Sequence, residues 1–396
     1  MRRLAPLLLF LFAACVAPQV PPDAVQMANA TSVLAAPANL FEIRLPAGDT
    51  GSINVGWWKN GATLNYDPQT WLSQGFDGVR FVGAGVDVTH IRCTSWDGIT
   101  IAVKQHNGIV EFNNCTIHAG NNQATQFGEQ NLAKKLSPKF AARLIDCKVT
   151  SEQRAKWLVF GYQCDLYMKR VTLIGKQNVE HDVYFHGWSA KGALVEDCNF
   201  ESAGAEGFKT RPDMTETVMV PGTSIVIRRS KFTDWRQDHS WRGGAAIVDQ
   251  GDISNVLIEG CFFKGGVPTA TQPPNDRSHC VEIAAESNSY GGAGHVWIRD
   301  CAFYGKSLVD WSNTIIRVAR NSGTQNAAKS VMIETSGIYG PKMLVSVGQV
   351  AAGKTTVRLC NTPEIKAKLA ALFSTAEEAT IPTASRRIPV SEGRVW

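Results

Sequence analysis

Apolar positions along the chain return in one short frame: apolar, x, apolar, x, x, a small residue (most often Cys), x, apolar. GALVEDCNF at 192–200 is a clear copy. IVEFNNCTI (109–117), ARLIDCKV (142–149), LYMKRVTL (166–173), SIVIRRSKF (224–232), NVLIEGCFF (255–263), HVWIRDCAF (295–303) and SVMIETSGI (330–338) repeat it, and VTHIRCTSW, ending at Trp96, is a weaker copy. Aligned on this frame, the small-residue column reads Thr94, Cys115, Cys147, Val171, Cys198, Ser230, Cys261, Cys301 and Ser336. Members lie roughly 20 to 40 residues apart, a solenoid period with variable insertions. Alternation on both sides of the small residue predicts two short strands hinged there. Only one Asn-Gly, Asn107-Gly108, falls between copies, which argues against antiparallel hairpins throughout. The expected architecture is all-β: a parallel β-helix in which each repeat is one coil stacked about 4.8 Å above the last.

That reading changes what length and cysteine content mean. A solenoid grows without splitting, so 396 residues need not divide into several globular domains. Ten cysteines in an exported chain would ordinarily suggest a disulfide framework. Here Cys115, Cys147, Cys198, Cys261 and Cys301 share one inward column, where Cys serves as a small buried hydrophobe. Stacked Cβ vectors about 4.8 Å apart exceed the spacing a bridge prefers, so mostly free thiols are expected. No CxxC or HxxxH pair occurs to suggest zinc.

Charged residues make up only 19% of the chain and 35 are Gly, which suits short strands and tight turns. A formal charge of +5 without any basic run argues against nucleic acid and is compatible with an acidic polymer. The opening MRRLAPLLLFLFAACVAP has a basic start, a short apolar run and small residues before Cys15. Residues 1–20 thus read as an export signal, too short to span a membrane as a stable helix. Phe12-Ala13-Ala14-Cys15 resembles the lipobox of bacterial lipoproteins, which implies a lipid anchor at Cys15 as the only membrane contact; ordinary cleavage near Ala14 or Ala17 is the alternative. The expected location is outside the cytoplasm: secreted, periplasmic or an outer-membrane lipoprotein.

Residues 21–39, rich in Ala, Pro and Val, read as a linker, and 40–77 as a cap over the first coil, because an open solenoid end exposes core and strand edge. Coils are expected over 78–360. Over 361–396, Thr362-Pro363-Glu364 reads as a helix start, and Ile365, Leu369 and Phe373 fall on one face of the helix that would plug the far end, followed by a tail.

The repeated frame, preceded in each coil by a further short strand, resembles the right-handed parallel β-helix of the pectin lyase-like superfamily over roughly 78–357. The preceding strands are expected at 99–102, 157–160, 182–186, 207–211, 245–249, 281–284 and 315–319. Alternation along them puts Asp182, Tyr184, Lys209, Ile247, Glu282 and Arg317 on the outward face, with a neighbouring column of His186, Arg211, Asp249, Ala284 and Ala319. Long loops flank this face. One carries Trp235, Arg236, Asp238, His239, Trp241 and Arg242, and another Asp276, Arg277 and His279. Indole faces suit sugar rings and the charges suit carboxylates or hydroxyls, although such a loop also serves by packing its tryptophans on the coil wall.

The resemblance implies that a polysaccharide or surface glycan lies along the first sheet, and that the chain is an exported polysaccharide-active protein, foremost a lyase acting on an acidic, uronate-containing glycan. Such lyases abstract the proton beside a carboxylate with Lys or Arg while a cation such as Ca²⁺ neutralises the enolate. The pairing of Lys209 as base with Arg211 as charge stabiliser is similar to alginate lyases and chondroitinase B. Tyr184, His186 or His239 would protonate the leaving oxygen, and Trp235, Arg236, Asp238, His239, Trp241, Arg242 and Arg317 would bind substrate. Glu206, Asp249 and Glu282 are the candidate carboxylates for Ca²⁺. The sequence departs from other members of the superfamily. In HVWIRDCAF, Arg299 and Asp300 stand where pectate lyases have Asp and His, and the paired Asp and Gly-His-Gly of polygalacturonases are absent. A hydrolase using Asp249 with Asp238 or Glu282, a non-catalytic glycan-binding module and a structural surface module remain alternatives.

Overall fold

The computed structural model describes residues 27, 29, 31–56, 63–94, 97–104, 107–128, 140–152, 154–175, 179–186, 191–201, 203–211, 223–233, 244–249, 255–264, 278–285, 293–304, 314–320, 328–339, 344–347, 355–359 and 390–392. The chain winds as a right-handed parallel β-helix, the hand expected for parallel crossovers. Among the described residues every strand pairing is parallel, and successive coils add strands to three sheets. The first sheet holds the strands preceding each repeat, among them Ala155–Tyr162, Val179–His186, Glu206–Arg211, Gly244–Asp249, Ser278–Ala285 and Thr314–Arg320. The two halves of the repeat form the second sheet (for example Gly192–Glu196, Ser224–Arg228 and Asn255–Glu259) and the third (Asn199–Glu201, Lys231–Thr233 and Phe262–Lys264).

Coils stack in phase, so each position of the repeat becomes a vertical file. Ala193, Ile225, Val256, Val296 and Val331 are successive register partners in the second sheet, and all are buried. In the third sheet, Phe200, Phe232, Phe263 and Phe303 form a ladder with ring centroids 4.3, 5.1 and 4.8 Å apart and planes within 10° of parallel. Cys198, Ser230, Cys261 and Cys301 form the predicted internal file, with the Cys198 amide donating to Ser230 Oγ at 3.2 Å. All described cysteines are free, and even the close pair Cys115 and Cys147 has its sulfurs 3.8 Å apart.

The hinge lies one residue earlier than the small residue. Asn114, Asp146, Arg170, Asp197, Arg229 and Asp300 have φ between 50° and 58°, and Gly260 has φ 62°. This left-handed conformation turns the chain from second sheet to third and lets the small residue face inward. Asn, Asp and Gly are ordinary there; the two arginines are not, and each is tied to the Asp one coil below. Arg170 grips Asp146 through two bonds of 2.5 and 2.7 Å, and Arg229 grips Asp197 through bonds of 2.7 and 3.0 Å.

Two boundaries differ from expectation. Leu40–Arg44, Gly48–Thr50 and Ile53–Val55 pair with Gly78–Val82, Thr89–Ile91 and Ile99–Val103, so 40–55 is already a coil. The apolar end is covered instead by Leu64–Tyr66 and the short helix Gln69–Leu72, whose Trp71 is buried beside Phe41. The weak copy ending at Trp96 is misaligned by the same correction. Ile91 pairs with Ile117, which puts buried Thr89 rather than exposed Thr94 in the small-residue file, after an insertion at 84–88 that hides the frame.

Part of the expected linker also packs. Met27, Thr31 and Leu34 share a helical face and are buried, Met27 and Leu34 against the outer side of the second sheet in a cluster with Tyr167, Leu194, Val226, Leu257 and Trp297. At the other end, Val390–Glu392 adds a parallel strand to Leu344–Val347 of the first sheet, while the expected helix at 362–373 lies outside the described residues.

Candidate functional site

The outer face of the first sheet brings together an aromatic cluster and a chain of charges. Trp157, Phe160, Tyr162 and Tyr184 form a small apolar group apart from the core, with the Trp157 and Phe160 rings stacked at 4.5 Å and Tyr184 5.4 Å from Trp157. One coil higher the register sets Lys209 opposite Tyr184 and Arg211 opposite His186. Lys209 Nζ lies 5.6 Å from the centre of the Tyr184 ring, a cation–π distance, and Arg211 donates to the Tyr184 phenol. Thus Lys209, Arg211 and Tyr184 converge as expected. For His186 the described backbone gives the register only.

The charges form an alternating line. His181 Nε2 is 3.2 Å from Glu180, His181 Nδ1 is 2.6 Å from Glu206 Oε2, and Lys209 Nζ is 3.2 Å from Glu206 Oε1. The closest of these is an ion-pair contact without hydrogen-bond alignment, since both His181 Nδ1 and Glu206 Oε2 lack a hydrogen-bond partner. Burial pulls the His181 pKa down, but Glu206 and Glu180 outweigh it and the net shift is upward. Burial pushes Glu206 up, yet His181 and Lys209 hold its carboxyl below its ordinary value. Both directions describe one imidazolium–carboxylate pair. Burial raises Tyr184 despite the nearby Lys209 and Arg211 charges, leaving a protonated phenol at neutral pH.

Sequence alternation misses Glu180 and His181 and misplaces Asp182. His181 and Tyr184 share the outer face although they are three apart, their rings 4.7 Å from each other. Asp182 turns inward with Val183, and neither of its buried carboxylate oxygens has a hydrogen-bond partner. The irregularity breaks the period of two. The only available signal is EHD itself, three ionisable residues in succession on a strand with one side facing the core.

Two further positions are corrected by a one-residue shift in Gly244–Asp249. Lys209 pairs with Val248, which pairs with Glu282, so Val248 takes the register position expected of Ile247; Ile247 is buried in the core. The same shift sets Asp249 beside Thr210 and Ile283 rather than in the file of Arg211, and Ile283 is a core residue. Higher in the file Glu282 accepts from Arg317, and both side chains are largely buried.

Of the three carboxylates expected to hold calcium, Glu206 and Glu282 have other partners, and the side chain of Asp249 lies outside the described residues. Glu206 belongs to the His181–Lys209 pair and Glu282 to Arg317, and the two stand two coils apart and three residues out of register. Among the described residues no group of three or more His, Cys, Asp or Glu side chains converges on a metal position. Trp235, Arg236, Asp238, His239, Trp241, Arg242, Asp276 and Arg277 lie outside the described residues, as does the side chain of His279. No protein-family model matches the chain, and neither a curated protein nor a solved structure matches it.

Proposed function

We propose that the chain is an exported polysaccharide-active protein of the pectin lyase-like type, which takes an acidic, uronate-containing glycan along the first sheet and cleaves it by β-elimination. The observation that carries this reading is the convergence of Lys209, Arg211 and the protonated phenol of Tyr184 beside the Trp157–Phe160 aromatic pair. Arg211 neutralises the uronate carboxylate and the charge that develops on it. Lys209, as neutral amine, removes the proton on the adjacent carbon. The electron pair forms the carbon–carbon double bond, the glycosidic oxygen departs, and the Tyr184 phenol supplies the proton it takes. Solvent then resets both groups.

Absorbance of the unsaturated uronate product, read across a panel of acidic polysaccharides, tests this. We expect product from at least one, with Lys209→Ala and Tyr184→Phe each lowering the rate about 10²-fold or more. A folded protein that gives no product from any of them overturns the reading.

One contact favours a second reading. Lys209 already holds Glu206 at 3.2 Å, and that carboxylate stabilises the ammonium, whereas the Arg211 charge opposes it. A permanently charged Lys209 makes this face a binding surface for acidic glycan without cleavage. Retention on immobilised polysaccharide that survives Lys209→Arg, with the wild-type chain itself forming no product, selects binding over catalysis.

A further inference from the structure

On the third sheet, away from the aromatic and charged face of the first, two histidines meet. His90 lies on Thr89–Ile91 and His118 on Thr116–Ala119, the next coil. His90 Nδ1 and His118 Nε2 are 3.1 Å apart, and the rings are tilted by 44°. The other nitrogen of His118, Nδ1, faces Glu152 at 3.5 Å. Arg92 bonds to Asp49 at 2.8 Å and to Glu152 at 3.4 Å, so two carboxylates stand against one guanidinium and the cluster keeps one negative charge. His90 is half-buried and Glu152 well exposed, so the cluster is open to solvent, while His118 is nearly buried and held in place.

We propose that His90 and His118 chelate a divalent first-row transition cation through Nδ1 and Nε2 respectively, with Glu152 orienting His118 from behind and water completing the coordination shell. The spacing fits: with metal–nitrogen bonds of about 2.0–2.1 Å, nitrogens 3.1 Å apart subtend an angle of roughly 100°, between the tetrahedral and octahedral values. The tautomers fit as well. His118 Nδ1 is buried, has no hydrogen-bond partner and stands 3.5 Å from the Glu152 carboxylate, so a proton there is placed to close the carboxylate–histidine–metal arrangement that raises the ligand's basicity and fixes its ring. His118 Nε2 then carries its lone pair toward His90. On binding, the cation takes the place of the His90 Nδ1 proton between the rings, and that proton passes through solvent to Nε2. The protein supplies two ligands, and the affinity is that of an open chelate rather than a closed structural site. It follows the usual order that places Cu²⁺ above Zn²⁺ and excludes Mg²⁺ and Ca²⁺.

The test uses the full chain. Zn²⁺ titrated by calorimetry at pH 7.5 is expected to bind one per chain, tenfold or more weaker in His90→Ala and His118→Gln. In Glu152→Gln the loss is about 10- to 100-fold, as for other second partners of metal-bound histidines. His295→Ala, whose imidazole is engaged with Ser330 at 2.6 Å, leaves the titration unchanged. Cu²⁺ bound to the wild-type chain should show hyperfine splitting from two imidazole nitrogens by electron paramagnetic resonance, and from one fewer in His90→Ala. Because His90 is half-buried, that variant keeps its fold and the comparison stands even if His118→Gln does not. A wild-type chain that takes no Zn²⁺, or a His90→Ala variant that binds as tightly with unchanged splitting, overturns the proposal.

Discussion

Two buried ionisable residues next to each other on one strand have opposite consequences for stability. The folded pKa of His181 is raised, so its contribution is complete below the unfolded value of about 6.5 and fades as pH rises through the folded one. That of Glu206 is lowered, so its contribution is present above about 4.3 and fades as pH falls through the folded value. The pair therefore stabilises most between roughly pH 4.3 and 6.5. His181→Gln should lower stability in that window by about 3 kcal/mol, since it leaves a buried carboxylate with one partner, and should flatten the alkaline decline seen by thermal melts. Asp182 runs the other way. Burial, with Glu201 a lesser cause, pushes its carboxyl well up, so the folded chain loses stability as pH rises above the unfolded value of about 3.9 until the folded pKa is reached. Asp182→Asn removes that penalty, gaining roughly 1.4 kcal/mol for each pH unit crossed in the interval. A melting temperature that shows no pH-dependent difference from wild type between pH 4 and 8 contradicts the assignment. Neither residue's role is visible in the sequence, because an irregular strand reverses which neighbour faces the core.

The repeat itself was far more legible. The second and third sheets read directly from the frame, because apolar residues at two-residue spacing must face inward on both sides of a tight corner and the copies after the first align without gaps. The corner was located one residue late: Cys is the conspicuous member of the frame, whereas the residue that turns the chain varies among Asn, Asp, Gly and Arg. Arg229 makes the point testable. It adopts φ 50° without glycine's freedom and offsets the strain through its fork to Asp197 and a bond to Glu196 at 3.0 Å. Arg229→Ala and Arg229→Gly both lose those bonds, but only Gly relieves the backbone. Chemical denaturation should therefore find the glycine variant more stable than the alanine variant by about 1 kcal/mol, the reverse of the order in a helix or strand. The first sheet was the least legible. Its strands follow loops of varying length, so nothing in the frame sets their register, and the shift at Val248 took Asp249 out of the expected site.

A stack of coils gains cooperativity only through neighbours, so anything that crosses several coils matters out of proportion to its size. The segment bearing Met27 and Leu34 does this from outside. It lies on the outer file of the second sheet, which passes from the buried charges Glu111 and Arg143 to apolar Leu194, Val226, Leu257 and Trp297. Arg143 fastens its end by donating to the Ala36 carbonyl at 3.1 Å. A Pro- and Ala-rich stretch has no reason to be more than a tether until the sheet behind it is known to be apolar on its outer side. That side is apolar only because successive copies carry Leu, Val, Leu and Trp at one position where earlier copies carry Arg and Glu. Met27→Asp with Leu34→Asp puts two charges on this surface. It should cost about 3–6 kcal/mol, the burial of two large apolar side chains, and lower the melting temperature without changing the content of β-structure. The candidate site lies on a different sheet, so whatever glycan interaction the wild-type chain shows should persist below the new melting point. An unchanged melting temperature would mean that the segment merely rests on the sheet, whereas loss of the glycan interaction in a chain still folded would mean that the second and first sheets communicate through the core.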